Sequence, residues 1–298
     1  MDLEGLCEEI GLQSEVRDEV MRYAGITGSP EAMKDAEKAG SKAAGSKAAG
    51  SQAEDIMTDA EISSYHERLY DIDKREAVLK ELKERLGSDD DGMKILTCQL
   101  RMALLENEIY KEKGIDHSIF ISTMKCFTRF ISETKVMTGA VRFDRDWWTI
   151  RQITGRLYRI GDLEYESARV KGRDVISMHI PTDAVFTEDK IRGSHEKALS
   201  FFSRYFPDQS GLDMICFSWL LSPIIKDMLK PDSNILKFQG HFDITDFRPD
   251  ENGYRIWVFH TYGTDPSLFA EKTSLQRKMK SYVLDGGKIG EGFGIWRS

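Results

Sequence analysis

One histidine at the end of an alternating segment is the first candidate for chemistry in this chain. Val175, Ser177 and His179 share one face of a predicted strand, which Pro181 ends. An imidazole changes its charge near neutral pH, so His179 could act as a general base if this face lines a cleft. The alternative is a structural histidine that is hydrogen-bonded to a neighbouring group.

Two glutamates alternate with apolar residues on the preceding predicted strand. Leu163 and Tyr165 flank Glu164, and Glu166 follows, so both carboxylates lie on one face of a sheet. A carboxylate that lines a cleft can accept a proton, whereas one on a solvated strand face has no chemical role. The two glutamates and His179 therefore form a candidate acid-base set.

A third candidate group lies on an apolar run from Met214 to Leu221, which predicts a central strand buried on both faces. Ser222 and Pro223 favour a helix that starts directly after the run. Ser218 and Trp219 lie near the carboxyl end of this strand, where ligands of α/β proteins bind. Trp219 could form the wall of a pocket, but a tryptophan there is equally suited to the core.

The composition disfavours several classes of function. The chain has 298 residues, a formal net charge of -8 and a pI of about 5.4, which disfavours binding to a nucleic-acid backbone. Its acidic start is unlike a signal peptide, and no apolar run approaches the ~20 residues of a membrane span. The four cysteines have no metal-ligand spacing, so we expect buried free thiols, no metal site and a cytoplasmic location.

The order of the patterns predicts an α+β protein with two domains. Only one proline precedes Pro181, and helical stripes recur through the first 140 residues, including one from Tyr65 to Leu86 and an aromatic one around Phe127. The pattern changes near Val141 to mixed strands and helices. We therefore predict a helical domain over residues 1–140 and a mixed-sheet domain over residues 141–298.

The sequence also predicts an insert in the helical domain and the remaining helices and strands of the mixed-sheet domain. A five-residue repeat of small and polar residues occupies positions 39–53 and is predicted to be a flexible surface insert. A helix is predicted from about Thr187, with His195 on its apolar stripe as a core histidine. Two strands are predicted over 243–247 and 254–259, followed by a helix around Met279 and a final strand over 289–296.

Four blocks of the sequence form a recognisable set. They are Arg151-Gln152 with Leu157 to Glu166, His179-Ile180-Pro181, Ser218 to Pro223 with Ser233-Asn234 and Phe238-Gln239, and Thr273 to Arg277 with Gly286-Gly287. Together they resemble a bacterial acyltransferase family that pairs a helical N-acyltransferase N-terminal domain with a GNAT-like C-terminal domain. The resemblance covers nearly the whole chain apart from the insert.

The resemblance implies that the chain moves an acyl group from an acyl-CoA-type thioester to a small-molecule amine. Glu166 or His179 would take the proton of the amine, and Ser218 would donate to the carbonyl or to the leaving thiolate. Backbone N–H groups near His179 would hold the developing oxyanion, and the neighbouring Ile180 would help to bind coenzyme A. Acyl-CoA would be a co-substrate, with no tightly bound cofactor.

Further residues would shape the binding sites. Arg192 and Gly193 resemble part of the motif with which GNAT enzymes bind the coenzyme A pyrophosphate at a helix N-terminus, although they lie about one turn inside the predicted helix. The family often has a histidine before Ser218, where this chain has Phe217. The remaining binding residues are Asn234 for coenzyme A and Glu164, Trp219 and Gln239 for the substrate.

The incomplete phosphate motif keeps a different class of function open. A fold does not imply its usual chemistry, so the chain could be a non-catalytic ligand-binding or interaction protein on a GNAT-like scaffold. An enzyme needs His179 or Glu166 in a wet cleft, whereas an interaction protein needs an exposed apolar patch.

Overall fold

A computed structural model describes residues 1–26 and 55–297. It divides into two compact units, one of Met1–Lys135 with Gly139–Gly155, the other of Arg156–Ser298 with Val136–Thr138. The predicted insert at 39–53 lies outside the described residues. Helices in the described part of the first unit and a mixed sheet with helices in the second confirm the predicted α+β class.

The described part of the first unit is helical. Side-chain caps mark several helix starts: Asp2 accepts a hydrogen bond from the Gly5 N–H, and Thr58 forms a reciprocal capping box with Glu61. Its helices are α1 (Leu3–Glu9), α2 (Ser14–Tyr23), α3 (Asp59–Leu69), α4 (Arg75–Leu86), α5 (Met93–Glu112), α6 (His117–Met124), α7 (Cys126–Thr138) and α8 (Asp146–Ile153).

The apolar stripes of these helices form the core of the first unit. The long helix α5 contributes fully buried residues such as Leu96 and Leu100. The aromatic stripe around Phe127 is buried as well, so it forms core rather than an exposed docking patch. The stripe predicted from Tyr65 to Leu86 is split between α3 and α4, because the chain turns between them and leaves Ile72 exposed.

Helix α8 extends the helical unit beyond the boundary predicted at residue 140. The Gln99 side chain donates a hydrogen bond to the Asp146 carbonyl at 2.8 Å, and His66 Nε2 lies 2.6 Å from the Ile153 carbonyl. These buried contacts attach α8 to α5 and α3. The unit therefore continues to Gly155, and the sheet of the second unit begins directly afterwards at Leu157.

The second unit contains a six-stranded sheet in the order β1-β2-β3-β4-β6-β5. Strands β1, β2 and β3 pair antiparallel, β4 is parallel to β3, and β6 is antiparallel to both β4 and β5. Gly161 has φ +66° and forms the tight turn between β1 and β2. The strands are β1 (Leu157–Ile160), β2 (Leu163–Val170), β3 (Arg173–His179), β4 (Met214–Ser218), β5 (Phe242–Arg248) and β6 (Glu291–Trp296).

Four helices accompany the sheet: α9 (Glu188–Tyr205), α10 (Asn234–Gly240), α11 (Tyr254–Phe259) and α12 (Ser274–Leu284). Helix α9, the helix around Met279 and the last strand agree with the prediction. The strand predicted over 254–259 is wrong, because this segment is α11. Its buried Tyr254, Val258 and Phe259 pack in a cluster with Ile225 and Met279, so tertiary packing outweighs the local strand pattern.

The predicted strand from Met214 to Leu221 ends earlier than expected, at Ser218. The Ser218 hydroxyl accepts a hydrogen bond from the Leu220 N–H at 3.2 Å and starts a short 3-10 helix over Trp219–Leu221. A second 3-10 helix, Pro223–Met228, follows where an α-helix was predicted. Among the described residues, no helix is both long and apolar enough to cross a membrane.

Close packing explains the glycines of β6. A Cβ atom on Gly292 would lie 2.2 Å from the Leu221 carbonyl oxygen, and one on Gly294 would lie 2.9 Å from the Phe242 Cβ. The 3-10 helix over Trp219–Leu221 thus crosses β6 at a distance that only glycine permits. The glycines of β6 therefore serve close packing within a strand.

A stack of three rings attaches α9 to the sheet. The Trp296 indole lies between His195 and His241, with ring centroids 4.3 Å and 4.5 Å away and nearly parallel planes. His241 Nε2 lies 2.9 Å from Glu188 Oε1 at the start of α9. Burial, and secondarily the nearby His241, lower the pKa of His195, while Glu196 opposes this shift.

We predict that substituting Gly292 with alanine lowers the free energy of unfolding by about 1–3 kcal/mol, because the added methyl group has no space beside the Leu221 carbonyl. Urea unfolding measures the effect. The matched control is Gly193→Ala on α9, where no atom lies within 4 Å of the added Cβ. That variant should gain about 0.5–1 kcal/mol from helix propensity. Equal effects of the two changes would contradict the packing argument.

We predict that the stability of the protein falls more steeply with acid when His195 is present. The unfolded histidine binds a proton near its ordinary pKa of 6.5, whereas the folded one resists it, so stability is lost as the pH drops below about 6.5. Melting temperatures of wild type and His195→Phe between pH 7.5 and 5.5 test this. The variant keeps an aromatic ring against Trp296 and should show the shallower decline; parallel declines would refute the assignment.

Candidate active site

The parallel ladder between β3 and β4 stops before either strand ends. Its last paired residues are Met178 and Cys216, while β3 continues to His179 and β4 continues to Ser218, which pairs with Gly292 of β6. The backbone at His179 and that at Ser218 therefore lie beyond the ladder at the carboxyl ends of two parallel neighbours. Ligands of open α/β sheets bind in such crevices.

The structure brings the two predicted proton acceptors into contact at this end of β3. Glu164 pairs directly with His179 and Glu166 with Ser177, so all four side chains share one face. Glu166 Oε2 lies 3.0 Å from His179 Nε2, with the glutamate side chain 9% exposed and the histidine 23% exposed. A carboxylate held against an imidazole orients the ring and stabilises the imidazolium that forms when it accepts a proton.

An arginine that the motifs did not identify contacts the same carboxylate. Arg156 Nη2 lies 3.4 Å from Glu166 Oε1 and donates to the Ser167 carbonyl at 3.1 Å. Glu166 is therefore held between Arg156 and His179. The signal that could have found Arg156 is strand register: a tight turn at Gly161 pairs Leu157 with Glu166 and so places the preceding residue beside Ser167.

Glu164 completes the acidic row on this face. It is 2% exposed, and its neighbours across the sheet are Arg159 on β1 and His179 on β3. Tyr165 points to the opposite face, where burial raises the pKa of its phenol far above the usual range. The side chains of Glu164, Glu166 and His179 therefore share one face of the sheet, and the Tyr165 phenol lies on the other.

Polar contacts fix the loop after β3, which carries Ile180. Arg159 Nη1 lies 2.9 Å from Asp183 Oδ1, and the Val185 N–H donates to Asp162 Oδ1 at 3.2 Å. The Asp162 N–H donates in turn to Ser194 Oγ of α9 at 2.7 Å. Arg159 of β1 and the β1–β2 turn, which is itself attached to α9, therefore hold the loop that follows His179.

Arg192 and Gly193 lie inside α9 rather than at its N-terminus. Arg192 lies in the second turn, is exposed and sits 3.7 Å from Glu196. The first turn carries Glu188 and Asp189 instead, and the Thr187 hydroxyl donates to Asp189 Oδ1 at 2.6 Å. Carboxylates complement the positive end of a helix and repel a phosphate there.

The remaining predicted residues are held in structural contacts. Trp219 packs against the cluster around Ile225, and the Gln239 amide nitrogen donates to the carbonyls of Leu220 at 2.7 Å and Ser222 at 3.1 Å. Asn234 is the exposed first residue of α10. Ser218 lies at the crevice but already accepts the Leu220 N–H, so its hydroxyl hydrogen is the part that could reach a ligand.

The cysteines and metal-binding residue types offer no competing chemistry in the part of the chain that the structure describes. All four cysteines are free and buried, and burial raises the pKa of the Cys216 thiol well above its ordinary value. Within the same residues, no group of three or more histidine, cysteine, aspartate or glutamate side chains could hold a metal ion.

Two sequence families match the chain, one for each unit. Residues 1–155 match the N-acyltransferase N-terminal domain, and residues 157–296 match the GNAT-like C-terminal domain. The division at residues 155 and 157 coincides with the end of the helical unit. A comparison with curated protein sequences finds no match.

Solved structures share the fold of the whole chain. An acyltransferase in complex with decanoyl-CoA and teicoplanin is 20% identical, with 99% of each chain covered and a TM-score of 0.67. An acyltransferase in complex with CoA and 10C-teicoplanin is 20% identical, covers 100% of this chain and 99% of its own, and has a TM-score of 0.67. A mutant acyltransferase in complex with octanoyl-CoA is 19% identical over the same shares, with a TM-score of 0.68.

We predict that Gln239→Leu lowers the free energy of unfolding by about 1–3 kcal/mol, because it leaves two buried carbonyl groups without a donor. Chemical denaturation of purified protein measures the change. The control is Asn234→Ala on the exposed start of the same helix, which should stay within about 0.5 kcal/mol of wild type. A stable Gln239→Leu protein would return this residue to the substrate-binding role predicted from the sequence.

Proposed function

Because the chain belongs to the family that combines an N-acyltransferase N-terminal domain with a GNAT-like C-terminal domain, we propose that it transfers an acyl group from an acyl-CoA to an amine. The contact between Glu166 and His179 at the end of β3 is the observation that carries this proposal. It supplies a proton acceptor at the crevice where the parallel strands part.

In this mechanism the amine nitrogen attacks the carbonyl carbon of the thioester directly. The His179 imidazole accepts the proton that the nitrogen loses, and the Glu166 carboxylate stabilises the resulting imidazolium. Backbone N–H donors at the loop that begins with Ile180 hold the oxyanion of the tetrahedral intermediate. The carbon–sulfur bond then breaks, the coenzyme A thiolate leaves, and the proton on His179 passes to it. No group on the protein is acylated.

The related structures guide the choice of substrates. Acyltransferases of this fold hold octanoyl-CoA, decanoyl-CoA and teicoplanin. We therefore propose medium-chain acyl-CoA donors and an amine carried by a bulky acceptor such as a glycopeptide, in place of the small-molecule amine expected from the sequence. The acidic net charge of -8 argues against a nucleic-acid acceptor, and a cytoplasmic location stays a prediction.

The first turn of α9 favours a second candidate function. A helix N-terminus usually binds phosphate through its backbone N–H groups. The first turn of α9 carries two carboxylates, Glu188 and Asp189, which repel a phosphate there. A chain that does not bind coenzyme A would be a non-catalytic binding protein on the same scaffold. Thermal stabilisation separates the two, because a ligand that binds only the folded state raises the melting temperature as its concentration exceeds the dissociation constant.

We predict that His179→Gln lowers kcat/KM for acyl transfer by about 10²–10⁴-fold, the usual contribution of a general base. The assay follows release of the coenzyme A thiol from octanoyl-CoA or decanoyl-CoA with a panel of amino sugars and glycopeptides. Glu166→Gln should cause a smaller loss, because the imidazole itself remains.

The control for this prediction is His117→Gln, which removes an exposed histidine paired with Glu9 at 2.7 Å in the helical unit. It should retain full turnover, and every variant should keep the acyl-CoA-dependent rise in melting temperature. Full turnover by His179→Gln would reject the base assignment. Absence of stabilisation by any acyl-CoA at millimolar concentration would reject the acyltransferase proposal in favour of the binding protein.

A further inference from the structure

We propose that Arg156 is a positioning residue that holds the Glu166 carboxylate against His179 and offsets its charge, so that the imidazole stays neutral and able to accept a proton. This inference rests on the proposed role of His179 as the base, and it adds a residue that belongs to none of the sequence blocks. Arg156 acts through Glu166 and does not itself touch the reacting atoms.

The backbone fixes Arg156 in this place. The Arg156 carbonyl accepts a hydrogen bond from the Ser167 N–H at 2.8 Å, and its guanidinium donates to the Ser167 carbonyl at 3.1 Å. Both ends of the arginine are thereby attached to the residue that follows Glu166. Its guanidinium is 16% exposed and reaches Glu166 Oε1 at 3.4 Å, so the carboxylate is contacted on one oxygen by Arg156 and on the other by His179.

The charges around His179 create the need for this arginine. Glu164 and Glu166 both lie on its face of the sheet and are nearly buried, and each favours a positive ring. Arg159 lies opposite Glu164 across the sheet and 2.9 Å from Asp183. On β4, the residues beyond the ladder are the uncharged Phe217 and Ser218. Without Arg156, the Glu166 carboxylate would lose a positive neighbour and act more strongly on the imidazole.

A partly buried setting makes these contacts stronger than they would be in water. Coulomb interactions weaken less where the protein excludes solvent, and the Glu166 side chain is 9% exposed. A protonated imidazole cannot take a proton from the amine. The guanidinium keeps its charge over the whole working range of pH, so its effect is constant while the histidine titrates.

The test measures the pH at which the His179 ring is half protonated, by NMR of the imidazole Cε1–H, with His179→Gln to assign the resonance. Arg156→Gln should move this pH upward by about one unit, since an uncompensated carboxylate favours the charged ring. Glu166→Gln should move it downward. Arg156→Lys, which keeps the charge, should stay close to wild type.

The matched control is Arg169→Gln, which removes an exposed arginine near the other end of β2, 3.8 Å from Asp174. It should leave the His179 titration unchanged. Should Arg156→Gln unfold, Arg156→Met, which also removes the charge and keeps most of the side-chain length, makes the same comparison. An unchanged titration in folded Arg156→Gln would overturn the proposal.

The titration is independent of the proposed function, because it requires no substrate. If acyl transfer occurs, Arg156→Gln should shift the acidic limb of the pH–rate profile upward by the same interval, with turnover recovering at higher pH. Acyl transfer with an unmoved profile would contradict the role of Arg156 alone. Lack of acyl transfer with a shifted titration would contradict the proposed function and leave the Arg156 effect established.

Discussion

The arrangement of the second unit depends on the point where β3 and β4 stop pairing. Ser218 ends β4 by accepting the Leu220 N–H, and the chain then turns across β6 at Gly292, where no side chain fits. The parallel ladder ends earlier than either strand, at Met178 and Cys216, one residue before His179. The His179 ring therefore lies where the two parallel strands no longer pair, at the end of the sheet rather than inside it.

Electrostatics then determines what that ring can do. A sheet face that carries Glu164, Glu166 and His179 in adjacent positions has a surplus of negative charge, and the fold compensates with arginines on the first strand and just before it. The first turn of α9 is acidic as well, with Glu188 beside His241. The carboxylates at this helix start would repel the diphosphate of a coenzyme A donor, which would therefore bind to cationic groups elsewhere.

The sequence predicts those parts in which one local pattern determines the outcome. Alternation placed Glu164 and Glu166 on one face of their strand and His179 on the same face as Ser177 of the next, and the observed register then joins the two faces. The apolar run after Met214 does not indicate where β4 ends, since Trp219–Leu221 is equally apolar as a strand and as the 3-10 helix that it forms. Helix α11 and the structural role of Gln239 depend on tertiary contacts, and Arg156 emerges only when two strands are aligned, so none of these is visible in a local pattern.

The central claim is that acyl transfer takes place beside the Glu166–His179 pair at the carboxyl ends of β3 and β4. The most direct measurement is a crystal structure with a non-hydrolysable thioether analogue of decanoyl-CoA. The account predicts that the sulfur and the atom replacing the carbonyl carbon lie in the crevice beyond Met178 and Cys216, with His179 facing the path of an incoming amine. An analogue bound with its reactive end away from this crevice would contradict the account.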